Sequence, residues 1–186
     1  NWRAAMTRVE NGEQMGESVQ GQEHDSLYGR TKKIARRAIA ADSGRAEGHF
    51  ALAAAVGRAS LTMGKKERIR RARVIRDEAL RTLAIDPRHD GAFHVLGRWN
   101  AEIMRLSSVE RFFAKSFMGG KRFSAASWDE AQKYLERAVE LKPSFIYHRL
   151  DLAEVYIDRR KYAEARARNL DQVLAVQVVT LDQGSR

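Results

Sequence analysis

Val139-Glu140-Leu141-Lys142-Pro143 repeats the pattern of Leu83-Ala84-Ile85-Asp86-Pro87, and these stretches hold the only two prolines of a 186-residue chain. Each reads as a helix ending, because proline lacks the backbone N–H and its ring clashes with the preceding turn. The same opening follows both: Phe93-x-x-Leu96-Gly97 after Pro87, and Arg149-x-x-Leu152-Ala153-x-x-Tyr156 after Pro143. Before the second proline runs Ala131-x-x-x-Leu135-x-x-Ala138, small and apolar at helical spacing. A pair of helices is therefore written more than once.

Bulky residue, Leu-Gly or Leu-Ala three positions on, a small-residue second helix and a closing proline are the pattern of the tetratricopeptide repeat. Two weaker copies lie upstream. Ala35-x-x-Ala38-Ile39-x-Ala41-Asp42-Ser43 ends a helix with serine in the proline's place, and Glu47-Gly48-His49-Phe50-x-Leu52-Ala53 opens the next unit. Trp2 stands where the first unit's bulky residue belongs. Pro87 lies 44 residues beyond Ser43, and Pro143 lies 56 beyond Pro87. Against a unit of about 34 residues, this leaves insertions of roughly 10 and 22. The expected fold is all-α: a right-handed tetratricopeptide-like solenoid of about four helix pairs, with a helical insertion in the third repeat. One domain spans 1–186, with repeats near 1–43, 44–87, 88–143 and 144–178, the insertion near 105–126, and the solenoid cut at both ends.

Composition narrows the function classes. No run of about 18 apolar residues occurs, so no membrane-spanning helix is expected. The absence of cysteine excludes disulfides, thiolate metal sites and thiol catalysis, and suits periplasm and cytoplasm alike. The net charge of +10 gathers in two stretches, Arg30 to Arg37 and Lys65 to Arg76. In the second, Ile69, Ala72, Ile75, Ala79 and Leu83 recur at helical spacing, so the basic residues share a helix with a buried side. A solvated outer face is the plain reading; a polyanion or an anionic membrane surface is the other. Base-stacking aromatics are missing from both runs, which disfavours nucleic acid.

Helices are expected at 1–9, 25–41, 45–62, 65–85, 90–105, 108–118, 128–141, 145–158 and 161–177, with a loop over 11–23. Asp90 is the expected cap of the third repeat's first helix, and Ser127 with Glu130 forms a capping box for its second. Asp182 and Ser185 look like caps of a further helix. Within the insertion, Ser107-x-x-Glu110 is another capping box, and Gly119-Gly120 stops the element. Val109, Phe112, Phe113 and Phe117 recur at i, i+3, i+4 and i+8, an apolar face expected to dock on the repeats, leaving Arg111 and Lys115 to solvent.

Catalytic signatures are missing from the sequence: there is no phosphate-binding loop, no GxGxxG and no GxSxG. His49, His94 and His148 recur near the starts of first helices, with packing or groove-lining roles expected rather than a metal site. Repeat geometry turns Phe50, Ala54 and Arg58, then His94, Arg98 and Glu102, then Tyr147, Glu154 and Asp158 toward the concave side. Aligning the units places Arg58 beside Glu102 and Arg98 beside Glu154. Arg98 is the expected anchor for a carboxylate or phosphate, which guanidinium recognises bidentately.

Glu47-Gly48-His49-Phe50, His94-Val95-Leu96-Gly97-Arg98-Trp99, Glu110-Arg111-Phe112-Phe113-Ala114 and Tyr147-His148-x-Leu150 together resemble the regulator of microtubule dynamics family and its bacterial tetratricopeptide relatives. The resemblance implies a helical-repeat domain without enzymatic activity or cofactor. Its eukaryotic members serve microtubule association or organelle tethering, and one is associated with phospholipid. Bacterial relatives often carry an export signal, so the expected place is periplasm or cell envelope, with cytoplasm the alternative. The functional expectation is a scaffold holding a protein partner's peptide or helix in its groove; a phospholipid module is the runner-up, and polyanion binding is more distant. The carboxylate clamp of chaperone-binding repeats is not matched, since Tyr147 and Asp151 stand where basic residues belong.

Overall fold

Three corners of the chain close in the same way. In the computed structural model, which describes residues 22–60, 63–112 and 126–167, a two-residue turn forms at Ser43-Gly44, Pro87-Arg88 and Pro143-Ser144. In each case the next helix begins at the same distance, at Ala46, Asp90 and Ile146. The first two turns are braced alike: the Gly44 amide donates to the Asp42 carboxylate at 3.0 Å, and the Arg88 amide to Asp86 at 2.9 Å. Serine can thus stand in for proline where an aspartate one residue earlier supplies the turn's hydrogen bond.

The helices of the described residues are α1 Gln22–Ala41, α2 Ala46–Ser60, α3 Lys65–Ile85, α4 Asp90–Arg105, α5 Trp128–Leu141, α6 Ile146–Asp158 and α7 Tyr162–Ala165. Among the described residues there is no strand. Each helix packs on its neighbours along the chain, except across the insertion, where α5 returns to pair with α4. Beyond these pairs, α2 touches α4 and α4 touches α6, so the first helices of successive units stack side by side. The expected helix at 1–9 with Trp2, the loop up to residue 21, the insertion beyond Phe112 and the chain after 167 lie outside the described residues.

The Leu-small doublets hold this arrangement together. Leu52-Ala53, Leu96-Gly97 and Leu152-Ala153 stand at one distance from their turns, and all six residues are buried. At Gly97 the α4 backbone comes so close to α5 that an added Cβ would lie 2.5 Å from Leu135 Cγ and 3.2 Å from the Ala131 carbonyl oxygen. Leu135, Ala131 and Ala138 are wholly buried, as the small-residue pattern of α5 predicts.

Leu96 and Trp99 of α4 both reach across to the preceding helix pair. Leu96 joins Ala53 and Ala79 of the preceding pair, and Trp99 packs on Ala72 with Ile103. Trp99 also donates its indole N–H to the Ala72 carbonyl at 2.8 Å, while the Arg76 guanidinium lies 5.5 Å from its ring centre. The physical reason is helical phase: at about 3.6 residues per turn, Trp99 points away from the α5-facing side held by Gly97, and α3 offers the small side chain of Ala72 there. The cap of α4 differs from expectation, being His89, whose Nδ1 accepts from the Ala92 amide at 3.2 Å. The capping serine of α5 is Ser127, accepting from the Glu130 amide at 3.0 Å, but its own amide donates to Asn100 of α4 at 3.3 Å rather than to Glu130.

Gly97→Ala should lower stability by about 1–3 kcal/mol through overpacking against Leu135. Gly57→Ala in α2 adds a methyl group with nothing within 4 Å of it. That variant should instead gain about 0.5–1 kcal/mol through helix propensity. Urea unfolding of both variants checks the pair; equal effects would mean that the α4/α5 crossing is not tightly packed.

Candidate functional site

A cavity of about 540 Å³ opens on the side where α2 and α4 stack, and α3 supplies its floor. Ile69, Ala72 and Ile75 of α3, with Trp99, Ile103 and Leu106 from the α4 segment, make the floor apolar. Charged residues of both signs rim it: Arg58, Arg68, Arg98 and Arg105 against Glu47, Asp90, Glu102 and Glu110. Of the expected groove residues, Phe50, Arg58, His94, Arg98 and Glu102 line this cavity. Tyr147 and Glu154 do not: Tyr147 is 45% exposed with its ring 5.6 Å from Phe145, and Glu154 turns to Arg105. Helix α6 contributes His148 instead, together with Phe145 and Lys142 just before it.

Phe50 is fixed where α2 meets α4. Its ring lies against the α4 backbone at Gly91, where a Cβ would come within 2.5 Å of Cζ, and 4.4 Å from the His89 ring. The glycine is thus what admits the aromatic ring.

Between α4 and α6 runs a polar seam that aligning the units does not reveal. His148 Nε2 donates to Asp90 at 2.9 Å, and His94 Nε2 pairs with Asp151. Arg98 reaches the same Asp151 at 3.5 Å rather than Glu154. Further along, Arg105 bonds Asp158 at 2.6 Å, Glu102 at 2.9 Å and Glu154 at 3.3 Å. Glu102, expected beside Arg58, takes Arg68 at 2.7 Å in addition to Arg105. The difference has a cause: Asp151 is 12% exposed while Glu154 is 57% exposed, and attraction between charges grows as water is excluded. A guanidinium on a flexible stem therefore bends one turn back to the drier carboxylate.

Burial sets the protonation of the seam. It lowers the pKa of His148, and the nearby charges of His94 and Lys142 push in the same direction, outweighing Asp90. The second nitrogen of His148, Nδ1, is buried without a hydrogen-bond partner, with the His94 and Phe145 rings 4.7 and 4.6 Å away. A proton there would add an unsatisfied donor, so His148 is neutral and donates through Nε2. Burial works to raise the carboxyls of Asp90 and Asp151, but hydrogen bonds from His148 and His94, with cationic neighbours, outweigh it and hold both below the usual value. Burial also lowers His89, in accord with its cap, which requires an unprotonated Nδ1 to accept.

The remaining histidine of the repeated set is separate: His49 bonds Glu78 at 2.6 Å and the Ser43 carbonyl at 3.1 Å, tying α2 to α3 and to the turn. Among the described residues no three His, Asp or Glu side chains are grouped to hold a metal.

The insertion starts as its capping box predicts. Glu110 N–H donates to Ser107 Oγ at 3.3 Å, the Ser107 amide donates back to the Glu110 carboxylate at 2.9 Å, and residues 108–112 are helical. Its phase is different from expectation. Val109 and Phe112 are 65% and 68% exposed, whereas Arg111 turns inward to Met104 Sδ at 3.9 Å and Glu110 lines the cavity. Only Leu106 separates the end of α4 from the capping serine, and its packing with Trp99 and Ile103 fixes which side of the new helix faces inward. Phe113 and Phe117 lie outside the described residues.

Comparison with known proteins gives this geometry a context. A family model described as regulator of microtubule dynamics protein 1-3 matches residues 1–185. Two crystal structures of MamA, a tetratricopeptide-repeat protein, are similar in fold. One has a TM-score of 0.52 at 16% identity over 96% of this chain and 81% of that one. The other has 0.50 at 16% identity over 96% and 75%. No curated protein matches the chain. The likeness in structure shows an all-α, tetratricopeptide-like fold.

The pH dependence of stability follows from His148 and His89. Both are lowered from 6.5 in the folded state, so the unfolded chain binds more protons and stability falls as pH drops below about 6.5 toward the folded values. His148→Asn, which keeps a donor for Asp90 but does not titrate, should flatten that fall. Melting temperatures of both proteins from pH 7.5 to 5, a range that brackets the reference pKa of histidine of about 6.5, check it; parallel curves would count against a neutral His148.

Proposed function

The chain belongs to the regulator of microtubule dynamics protein 1-3 family, and from that premise we propose that it is a non-enzymatic interaction scaffold whose concave cavity takes a peptide or helix of a partner protein. The observation that carries this reading is the cavity itself, an apolar floor of Trp99, Ile103 and Leu106 inside a rim of both charge signs. A partner segment with apolar side chains on one side and mixed charges on its flanks matches that surface. Stacked helix pairs suit such work, because each unit contacts only its neighbours and leaves a long face free.

Within the rim, Arg98 is the anchor we assign. Its guanidinium is about one-third exposed and held loosely, 3.5 Å from Asp151, so it can turn to a carboxylate brought by the partner. Arg105 is already engaged. Burial alone would lower its pKa, but its bonds to Asp158 and Glu102 raise it. Arg105 therefore braces α4 against α6 instead of binding a ligand.

A phospholipid is the second reading, favoured by the apolar floor and the four arginines around it. The four acids on the same rim argue against it, since a phosphate headgroup is repelled by every one of them.

Affinity purification of the full chain from cells, followed by mass spectrometry of proteins and lipids, decides between the two. A stoichiometric protein whose binding weakens about tenfold in Arg98→Ala, a typical cost for losing an interface arginine anchor, supports the scaffold, provided the variant loses no more than about 1 kcal/mol of stability. A stoichiometric phospholipid with no protein would overturn it.

A further inference from the structure

The groove's arginines are largely met by acids, so the chain's net charge of +10 must be displayed elsewhere. It is displayed on the outer side of α1 and α3. Both pack on α2, where Ile34 of α1 and Val74 and Ile75 of α3 join one cluster, and Lys32 of α1 is near enough to feel the charge of Arg71 on α3. Between Arg30 and Arg37 there is no acidic residue, and between Lys65 and Arg76 there is one, Glu67.

Arg30, Lys33, Arg36 and Arg37 of α1 are exposed, as are Lys66, Arg70 and Arg73 of α3. Glu67 serves Arg70 at 3.2 Å and Arg71 at 2.9 Å, and Asp77 serves Arg73 at 3.6 Å. Among the described residues no carboxylate comes within ion-pair range of Arg30, Lys33, Arg36, Arg37 or Lys66. The crowding registers at Lys32, whose pKa is lowered by burial and then by the charges of Arg71, Arg36 and Lys33. Positive charge from two helices thus accumulates on one face, while the opposite side of α3, through Ile69, Ala72 and Ile75, forms the cavity floor.

We propose that this outer face of α1 and α3 docks on the anionic headgroup plane of a lipid bilayer. Two exposed stripes on adjacent helices present a broad sheet of cations, complementary to a plane of negative charge. The face carries no exposed aromatic to stack a base: Tyr28 of α1 is buried, and α3 has no aromatic residue. Nor is a large apolar side chain exposed between Arg30 and Arg37 or between Lys66 and Arg76, so adsorption is electrostatic and reversible by salt. Docking in this way leaves the cavity open to its own partner, and the inference stands or falls independently of what the cavity binds.

Co-sedimentation of the full chain with vesicles tests it. The chain should sediment with vesicles of phosphatidylcholine and phosphatidylglycerol at low salt, be released at high salt, and ignore phosphatidylcholine alone. The combined variant Arg36→Gln, Arg37→Gln, Arg70→Gln and Arg73→Gln should lose about a hundredfold or more in partitioning, while Arg137→Gln, at an exposed arginine of α5 outside both surfaces, partitions as the unaltered chain does. Circular dichroism verifies that both variants are folded. Equal binding to both vesicle types, an unaffected quadruple variant, no vesicle binding, or binding to duplex DNA in place of vesicles would each overturn the proposal.

Discussion

Everything in this structure depends on how closely the two helices of a unit can cross. Between α4 and α5 the crossing is made by Gly97 against Leu135, with the leucine occupying the space that a Cβ on α4 would need. At the equivalent place one unit earlier, Ala53 and Ala79 share a cluster, a small residue on each side. The two crossings are thus filled differently, one by a glycine against a leucine and the other by two alanines. Leu96 packs with Ala53 and Ala79, and Trp99 with Ala72, all in the preceding helix pair. The same pair of residues therefore stacks one unit on the next.

Stacking the first helices side by side creates both surfaces of interest. Facing inward, α2 and α4 leave a cavity floored by α3. Between α4 and α6 the contact is polar, made of Asp90 with His148, His94 and Arg98 with Asp151, and Arg105 with three acids. A buried polar contact requires its members to be satisfied, and His148 achieves this toward Asp90 as a neutral donor. Helices α4 and α6 are thus joined on this side by hydrogen bonds that depend on protonation, whereas α2 and α4 are joined by Phe50 seated on Gly91.

The helix ends were legible in the sequence because their causes are local. Proline at 87 and 143, aspartate at 42 and 86, and serine at 107 and 127 each act within a few residues, and the observed ends agree with them to within about 2–4 residues. Burial of the doublets was legible for the same reason, through spacing. The partners of long charged side chains were not. Arg98 passes over Glu154 for Asp151, a choice governed by how dry each carboxylate is, and no alignment of units carries that information. The phase of the insertion failed similarly: Val109 and Phe112 recur at helical spacing, but which side faces inward is decided by Leu106 and by Arg111 on Met104. His89 was missed as the cap of α4 because aspartate is the commoner cap and stands next to it.

The central claim is that the concave cavity, built by α2, α3 and α4, is the surface at which this family member meets its partner. Hydrogen exchange of the full chain, free and in the complex recovered from cells, tests it most directly. The account predicts new protection over Phe50 to Arg58 and His94 to Leu106, with the outer turns of α5 unchanged. Protection confined to the outer faces of the helices, with the cavity segments exchanging as in the free chain, would contradict it.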